Sequence, residues 1–291
     1  MGKIKIITDS ASDIKREDEK VYNIEIMPFE IALDGVNYLE RKDFTEREFY
    51  KIMGQSSKIP TTNQILKHRF LEIYKRFYDE GYSDIIYISI NSKGSSTNQN
   101  AHLAVKVFFE KNPECKDKFN IYVIDAGTYS YAYGYAVKIA AQKAIENAPV
   151  REILAFLEDW LAHVRVILAP YSLEYAKKSG RISAAAAFAG ELLGLRAIIM
   201  FENGESKIID KVRHDKNVIP AIIKNAKKRM IPQTPYCVII GELEDRNQEI
   251  IAECKKAFGY DPADIIYVGA TIAANSGPKV VAVIVKTTDN N

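Results

Sequence analysis

Three stretches of this 291-residue chain place hydroxyl and carboxylate side chains directly after a short apolar run. Ile4–Thr8 leads into Asp9-Ser10-Ala11-Ser12-Asp13, and Ile85–Ile90 into Asn91-Ser92-Lys93-Gly94-Ser95-Ser96-Thr97. Ile121–Ile124 leads into Asp125-Ala126-Gly127-Thr128. At the carboxyl ends of parallel strands, such turns present hydroxyls, free backbone N–H groups and the positive end of a helix dipole. That set suits a carboxylate or a phosphate. It makes a poor catalyst without a base, and no His stands in these turns. Ser and Thr also serve simply as helix N-caps, but the run Ser92–Thr97 supplies more hydroxyls than one cap needs.

Two further segments carry similar chemistry. Pro60-Thr61-Thr62-Asn63-Gln64 reads as a hydroxyl-rich turn before a helix, and equally as a plain helix start. In Glu174–Ser183, Gly180 suits a left-handed helix end and Ser183 suits the cap of the next helix. Arg181 then stands at a tight corner, where a guanidinium could face a carboxylate bidentately; a surface Arg is the default reading. Ser183–Leu195 is small and apolar almost all round, which predicts a buried helix open to a slender ligand or to close helix packing.

Several chemistries find no motif. There is no phosphate loop, GxGxxG, HExxH or GxSxG, and the four histidines (His68, His102, His163, His214) are not at metal-ligand spacing. Three cysteines without a CxxC pair argue against a disulfide framework or a zinc site and for a reducing cytoplasm. Net charge is +2, from 40 basic and 38 acidic residues, so no polyanionic partner is expected. Lys224, Lys227, Lys228 and Arg229 read as a solvated helix face. The start of the chain lacks a signal-peptide pattern, and no apolar run approaches the ~18 residues of a membrane span. The competing enzymatic reading is a hydrolase or transferase using Asp9 or Asp125 with nearby hydroxyls.

The elements that must position these turns follow from periodicity. Continuous β-rich runs alternating with helical spacing (Ala101, Val105 and Phe108; Val137, Ala140, Ala141 and Ala144) predict an α/β half with a mostly parallel sheet flanked by helices. Asp34-Gly35 predicts a hairpin, and Thr45 to Glu48 a capping box. The second half predicts a mixed α/β lobe. It holds a strand at Val164–Leu168, a hairpin around Asn203-Gly204, a helix at Val218–Met230 and later strands at Tyr236–Ile240, Ile265–Val268 and Val280–Val285. The expected lobes are 1–160 and 161–291.

In order along nearly the whole chain, Thr8-Asp9-Ser10, Pro60-Thr61-Thr62, Asn91–Ala101, Ile124-Asp125 and Tyr175–Ser183 resemble the DegV family of bacterial fatty-acid-binding proteins. The Lys-Lys-x-Gly-Arg-Ile-Ser pattern at 177–183 is the most specific of these. Tyr22–Asp43 is similar to the family's early hairpin region. The resemblance implies a lipid-binding protein rather than an enzyme, with one long-chain fatty acid in a tunnel between two lobes and its carboxylate gripped by hydroxyls. It implies no cofactor and no metal. Where a fatty acid kinase exists, family members present the acid to it, and the kinase makes an acyl phosphate from ATP.

Carried over by motif, the head-group residues are Thr61 and Ser92 or Ser95, with Arg181 nearby. Asn275 stands where the family commonly has a His before Thr-Gly-Pro-Gly, and Thr62, Thr97 and Ser276 are secondary candidates. The chain also reads Thr61-Thr62-Asn63-Gln64 for the usual Thr-Ser-Gln-Pro, Gly94-Ser95-Ser96-Thr97 for Leu-Ser-Gly-Thr, and Asp125-Ala126 for Asp-Ser. Asn hydrogen-bonds a carboxylate but carries no charge, so lipid binding tolerates that change better than handover to a kinase does. A carrier of another apolar carboxylate, without kinase coupling, is the neighbouring reading. A monomer is expected.

Overall fold

The computed structural model describes residues 2–188 and 194–288. The chain up to Glu30 forms one compact unit with Asn63–Leu161; Ile31–Thr62 forms the other with the chain from Ala162 onward. In order, the elements begin with β1 (Ile4–Asp9), α1 (Arg16–Val21), β2 (Glu25–Met27), β3 (Glu30–Leu33), β4 (Val36–Leu39), α2 (Glu46–Gln55) and β5 (Thr61–Asn63). Next come α3 (Lys67–Asp79), β6 (Asp84–Ser89), α4 (Thr97–Lys111), β7 (Asn120–Asp125), α5 (Tyr131–Ile145) and α6 (Val150–His163). They are followed by β8 (Val164–Pro170), α7 (Glu174–Ser179), α8 (Ser183–Ala187), β9 (Leu195–Glu202), β10 (Glu205–Arg213) and α9 (Val218–Arg229). The last are β11 (Cys237–Ile240), α10 (Glu244–Phe258), β12 (Asp264–Tyr267), α11 (Ala270–Ser276) and β13 (Val280–Lys286).

In the first unit a four-stranded sheet runs β2-β1-β6-β7 with every neighbouring pair parallel. Every residue of β6 is buried, as expected of a strand covered on both faces. Aromatic side chains pack α3 onto it and α4 against α3: Phe70 meets Tyr87 edge-on at 5.1 Å, and Tyr74 meets Phe108 at 6.3 Å. Helix α5 crosses the turn after β1 so closely that a Cβ at Gly134 would lie 2.0 Å from the Ser12 carbonyl oxygen. That close approach holds α5 against the first hydroxyl-bearing turn.

The second unit holds a six-stranded sheet, β10-β9-β8-β13-β11-β12, antiparallel except for the β11–β12 pair. Ile219, Ile222 and Ala226 of α9 and Ile250 and Cys254 of α10 share one core with Ile167, Val238 and Val283 of this sheet. A small sheet, β4-β3-β5, completes the unit. The β3–β4 turn has Asp34 at φ 53° and Gly35 at φ 81°, the two left-handed residues that a tight hairpin turn demands. The Thr45–Glu48 capping box starts α2: the Thr45 N–H donates to Glu48 Oε2 at 2.7 Å, and the Glu48 N–H to Thr45 Oγ1 at 3.4 Å.

The α/β class with a parallel first sheet and a mixed second lobe is what the structure has. Three local expectations need correction. Thr61–Asn63 is a short strand, not a turn, because it pairs into the small sheet. Helix α8 ends at Ala187 with Phe188 extended, Ala186 and Ala187 are exposed, and Leu195 already begins β9; the expected helix residues 189–193 lie outside the described residues. Ser183 does not cap α8 either. Ser206 of β10 accepts the Ala184 N–H at 3.0 Å, and Ser183 Oγ pairs with that same hydroxyl.

Candidate functional site

The first turn is a brace. Thr8 Oγ1 donates to the Ile88 carbonyl at 2.8 Å, across to the neighbouring strand. The fully buried Asp9 carboxylate accepts from Tyr133 Oη at 2.6 Å, Tyr87 Oη at 3.1 Å and the Ile90 N–H at 2.9 Å. Burial, with the Asp9 charge beside them, pushes both phenols well above their ordinary pKa, so they remain donors. A carboxylate enclosed by three donors has no exposed oxygen with which to attack a substrate, so its geometry is that of a structural anchor. Ser10 Oγ accepts the Phe29 N–H and Ser12 Oγ donates to the Asp9 carbonyl, which spends those hydroxyls too. Asp13 accepts from Ser130, whose φ of 55° and ψ of −150° are costly for a residue with a side chain.

The second and third turns form a single unit of hydrogen bonds. Asp125 Oδ1 accepts the N–H groups of both Ser92 and Gly127, each at 3.0 Å. The Asn91 N–H donates to the Thr128 carbonyl at 3.1 Å, and Asn91 Nδ2 donates to Tyr129 Oη at 2.9 Å. Gly94 lies under that tyrosine; a Cβ there would come within 2.7 Å of Tyr129 Oη. Ser95 Oγ and Thr97 Oγ1 are 2.9 Å apart, and Thr97 Oγ1 also accepts the Ile65 N–H at 3.1 Å. Thr97 is fully buried, so its hydroxyl is committed to holding the start of α4. Ser92 is exposed and Ser95 half-buried. Ser96, the cap residue of α4, makes no side-chain capping bond; Ser95 Oγ accepts the Thr97 N–H at 3.3 Å instead, so the start of α4 uses Ser95 and Thr97 and does not account for Ser92.

In the second unit, Gly180 ends α7 at φ 69°, the left-handed conformation expected of it. Ser179 Oγ accepts the Arg181 N–H at 3.4 Å and donates to the Asn275 carbonyl at 3.0 Å. The exposed Arg181 folds back, its Nη1 donating to the Ser179 carbonyl at 2.8 Å. Asn275 Nδ2 donates to the Thr271 carbonyl at 2.8 Å; Ser276, buried, directs its hydroxyl to the carbonyls of Ile272 and Gly277. The buried Glu40 carboxylate accepts both the N–H and the hydroxyl of Thr271, at 2.8 and 2.6 Å, fixing the start of α11. At the other end, Gly277 (φ 83°) lies against Tyr175, where an added Cβ would stand 3.2 Å from the ring. Burial, then the Glu174 charge, raises the pKa of Tyr175.

Of the residues expected from sequence, Ser92, Ser95 and Thr97 come together in the first unit. Arg181, Asn275 and Ser276 come together in the second, and Thr61 (exposed) and Thr62 (half-buried) lie on β5. Ser179, Glu40, Asn91 and the tyrosines around Asp9 were not anticipated. Ser179 stands next to the helix-ending glycine and Asn91 is the first polar residue after β6, which are the signals available for them. Among the described residues, no group of three His, Cys, Asp or Glu could hold a metal ion, and no helix is long and apolar enough to cross a membrane.

The sequence model of the DegV family, described as uncharacterised proteins, matches residues 3–288. A DegV domain-containing protein of Caldanaerobacter subterraneus subsp. tengcongensis is 35% identical over 227 residues, 78% of each chain. Another, from Clostridium perfringens, is 30% identical over 284 residues, 96% of this chain and 97% of its own. Among solved structures, a DegV lipid binding protein from Thermotoga maritima is similar with a TM-score of 0.83 at 25% identity, over 99% of this chain and 100% of that one. A DegV family protein from Thermus thermophilus, described by its fatty acid binding, has a TM-score of 0.86 over 99% and 100% of the two chains; at 24% identity that likeness speaks to the fold.

Proposed function

The chain belongs to the DegV family, and we propose that it binds one long-chain fatty acid. Ser92 and Ser95 hold the carboxylate, with Thr61, Arg181 and Asn275 as further head-group residues. The observation that carries this reading is the end-to-end similarity to a DegV lipid binding protein. The paired turns add chemical support, since they offer one exposed and one half-buried hydroxyl on a rigid strand-end frame. Burying an acyl chain contributes ~0.8 kcal/mol per methylene, so about ten methylenes supply roughly 8 kcal/mol, the scale of micromolar binding. A clamp of neutral hydroxyls is then enough to orient the head group. Protein purified from a bacterial host should carry acyl chains, seen by native mass spectrometry before and after denaturing extraction. An empty protein that also fails to take up palmitate or oleate contradicts the proposal.

The finer reading is presentation of the bound acid to a separate fatty acid kinase, which supplies the ATP chemistry. A second reading, retention without handover, is favoured by Asn275, a neutral side chain whose amide already donates within its own helix. Adding a purified fatty acid kinase and ATP separates the two: acyl phosphate forms in the first case, and the bound acid persists unchanged in the second. The three cysteines are buried and none is in a disulfide, which fits a reducing compartment, and we assign the chain to the cytoplasm. Fractionation of cells expressing the tagged chain tests that assignment.

A further inference from the structure

Thr128 lies in the turn after β7 and is 5% exposed. Its carbonyl accepts the Asn91 N–H at 3.1 Å, which sets it beside the residue preceding Ser92. The groups around it are spoken for. Asp125 Oδ1 takes the Ser92 and Gly127 N–H groups, Asn91 Nδ2 donates to Tyr129 Oη, and Asn91 Oδ1 accepts the Lys93 N–H at 3.0 Å. Thr128 Oγ1, by contrast, is fully enclosed and has no hydrogen-bonding partner among the described residues. A buried hydroxyl without a partner is penalised, because it has given up water and received nothing in exchange. Val fills nearly the same volume without that penalty, so packing alone does not explain a threonine here.

We propose that Thr128 is a further head-group residue, its hydroxyl donating to the bound carboxylate or to the water that this carboxylate holds. The inference rests on the fatty-acid reading above and deepens it. Ser92 and Thr128 then flank the Asp125 clamp from two successive turns, and ligand binding repays the desolvation of the Thr128 hydroxyl. The residue becomes a specificity element for an anionic head group.

The test uses full-length, lipid-stripped protein as wild type, Thr128→Val and Thr128→Ser, titrated calorimetrically with oleate and melted without lipid. Loss of a hydrogen bond to a charged group predicts that Thr128→Val weakens oleate binding about tenfold or more. Thr128→Ser should stay within about threefold, because it keeps the hydroxyl. Lipid-free Thr128→Val should melt at the wild-type temperature or above it, since a penalised hydroxyl is gone. Unchanged oleate affinity in Thr128→Val overturns the proposal. So does a lowered melting temperature of the lipid-free variant, which would mean that the hydroxyl has a structural partner. Wild-type protein that takes up no oleate removes the fatty-acid reading and this inference together, which distinguishes the two failures.

Discussion

Ser179 Oγ donates to the main-chain carbonyl of Asn275 at 3.0 Å while accepting the Arg181 N–H at 3.4 Å. One hydroxyl therefore locks the left-handed corner at Gly180 to the end of α11. Glu40 fixes the start of α11 and Tyr175 covers the glycine after it. Arg181 and Asn275 thus owe their positions to residues that are not themselves head-group candidates.

Replacing Ser179 with Ala should cost about 1 kcal/mol of stability, the usual worth of a partly buried hydrogen bond. It should also weaken oleate binding, because the corner and α11 lose their common tie. Urea unfolding and an oleate titration on the same preparations measure both. A destabilised variant with full affinity would show that the corner does not support the head group.

Asp9→Asn tests whether the buried aspartate is a brace or a reactive group. The amide would turn its NH2 toward a phenol or an N–H that is itself a donor, leaving buried donors unsatisfied. A loss of roughly 3 kcal/mol in chemical denaturation is expected. Retained stability together with loss of a magnesium-dependent phosphatase or esterase activity would favour the enzymatic reading.

The tyrosines around Asp9 contribute to the loss of stability at alkaline pH. Tyr133 and Tyr87 are held well above their ordinary value of 10.0 by burial and then by the Asp9 charge. Below pH 10 both are neutral in the folded and unfolded chains, so their contribution is complete. Above pH 10 only the unfolded chain releases those protons, and stability falls, at up to about 1.4 kcal/mol per pH unit for each phenol. Their share of the decline, followed by denaturation between pH 8 and 11, should therefore begin near pH 10. Tyr133→Phe should be less stable at pH 8 but show a shallower alkaline slope.

Gly94→Ala should drive Tyr129 off its place, since the new methyl would come 2.7 Å from Tyr129 Oη. Overpacking of this kind costs about 1–3 kcal/mol, and it breaks the Asn91–Tyr129 bond that holds the turn. Adding Tyr129→Ala should recover part of the loss. A double-mutant cycle with no coupling between the two sites would contradict this account of the glycine.

The hydroxyl turns, the hairpin at Asp34-Gly35 and the capping box at Thr45 were readable because each is a local strand, turn or helix signal. What escaped reading depends on distance along the chain. Asp9 meets Tyr87 and Tyr133 across 78 and 124 residues, and Ser179 meets Asn275 across 96. Thr61–Asn63 looked like a turn because nothing in those residues reveals the pairing that makes them a strand. Ser183 looked like a cap because Ser206, which takes the Ala184 N–H instead, comes from the next hairpin. The hydroxyls of Thr97 and Ser276 were plausible ligands by type; only packing reveals that both are already committed.

The most direct measurement is calorimetric titration of lipid-stripped protein with oleate, comparing wild type with the Ser92→Ala, Ser95→Ala double variant. Saturation at one oleate per chain is predicted for wild type, with affinity at least about tenfold weaker in the double variant, as expected for loss of hydrogen bonds to a carboxylate. Absence of saturable oleate binding by the wild type, or equal affinity in the two proteins, would contradict a fatty acid held at these hydroxyls.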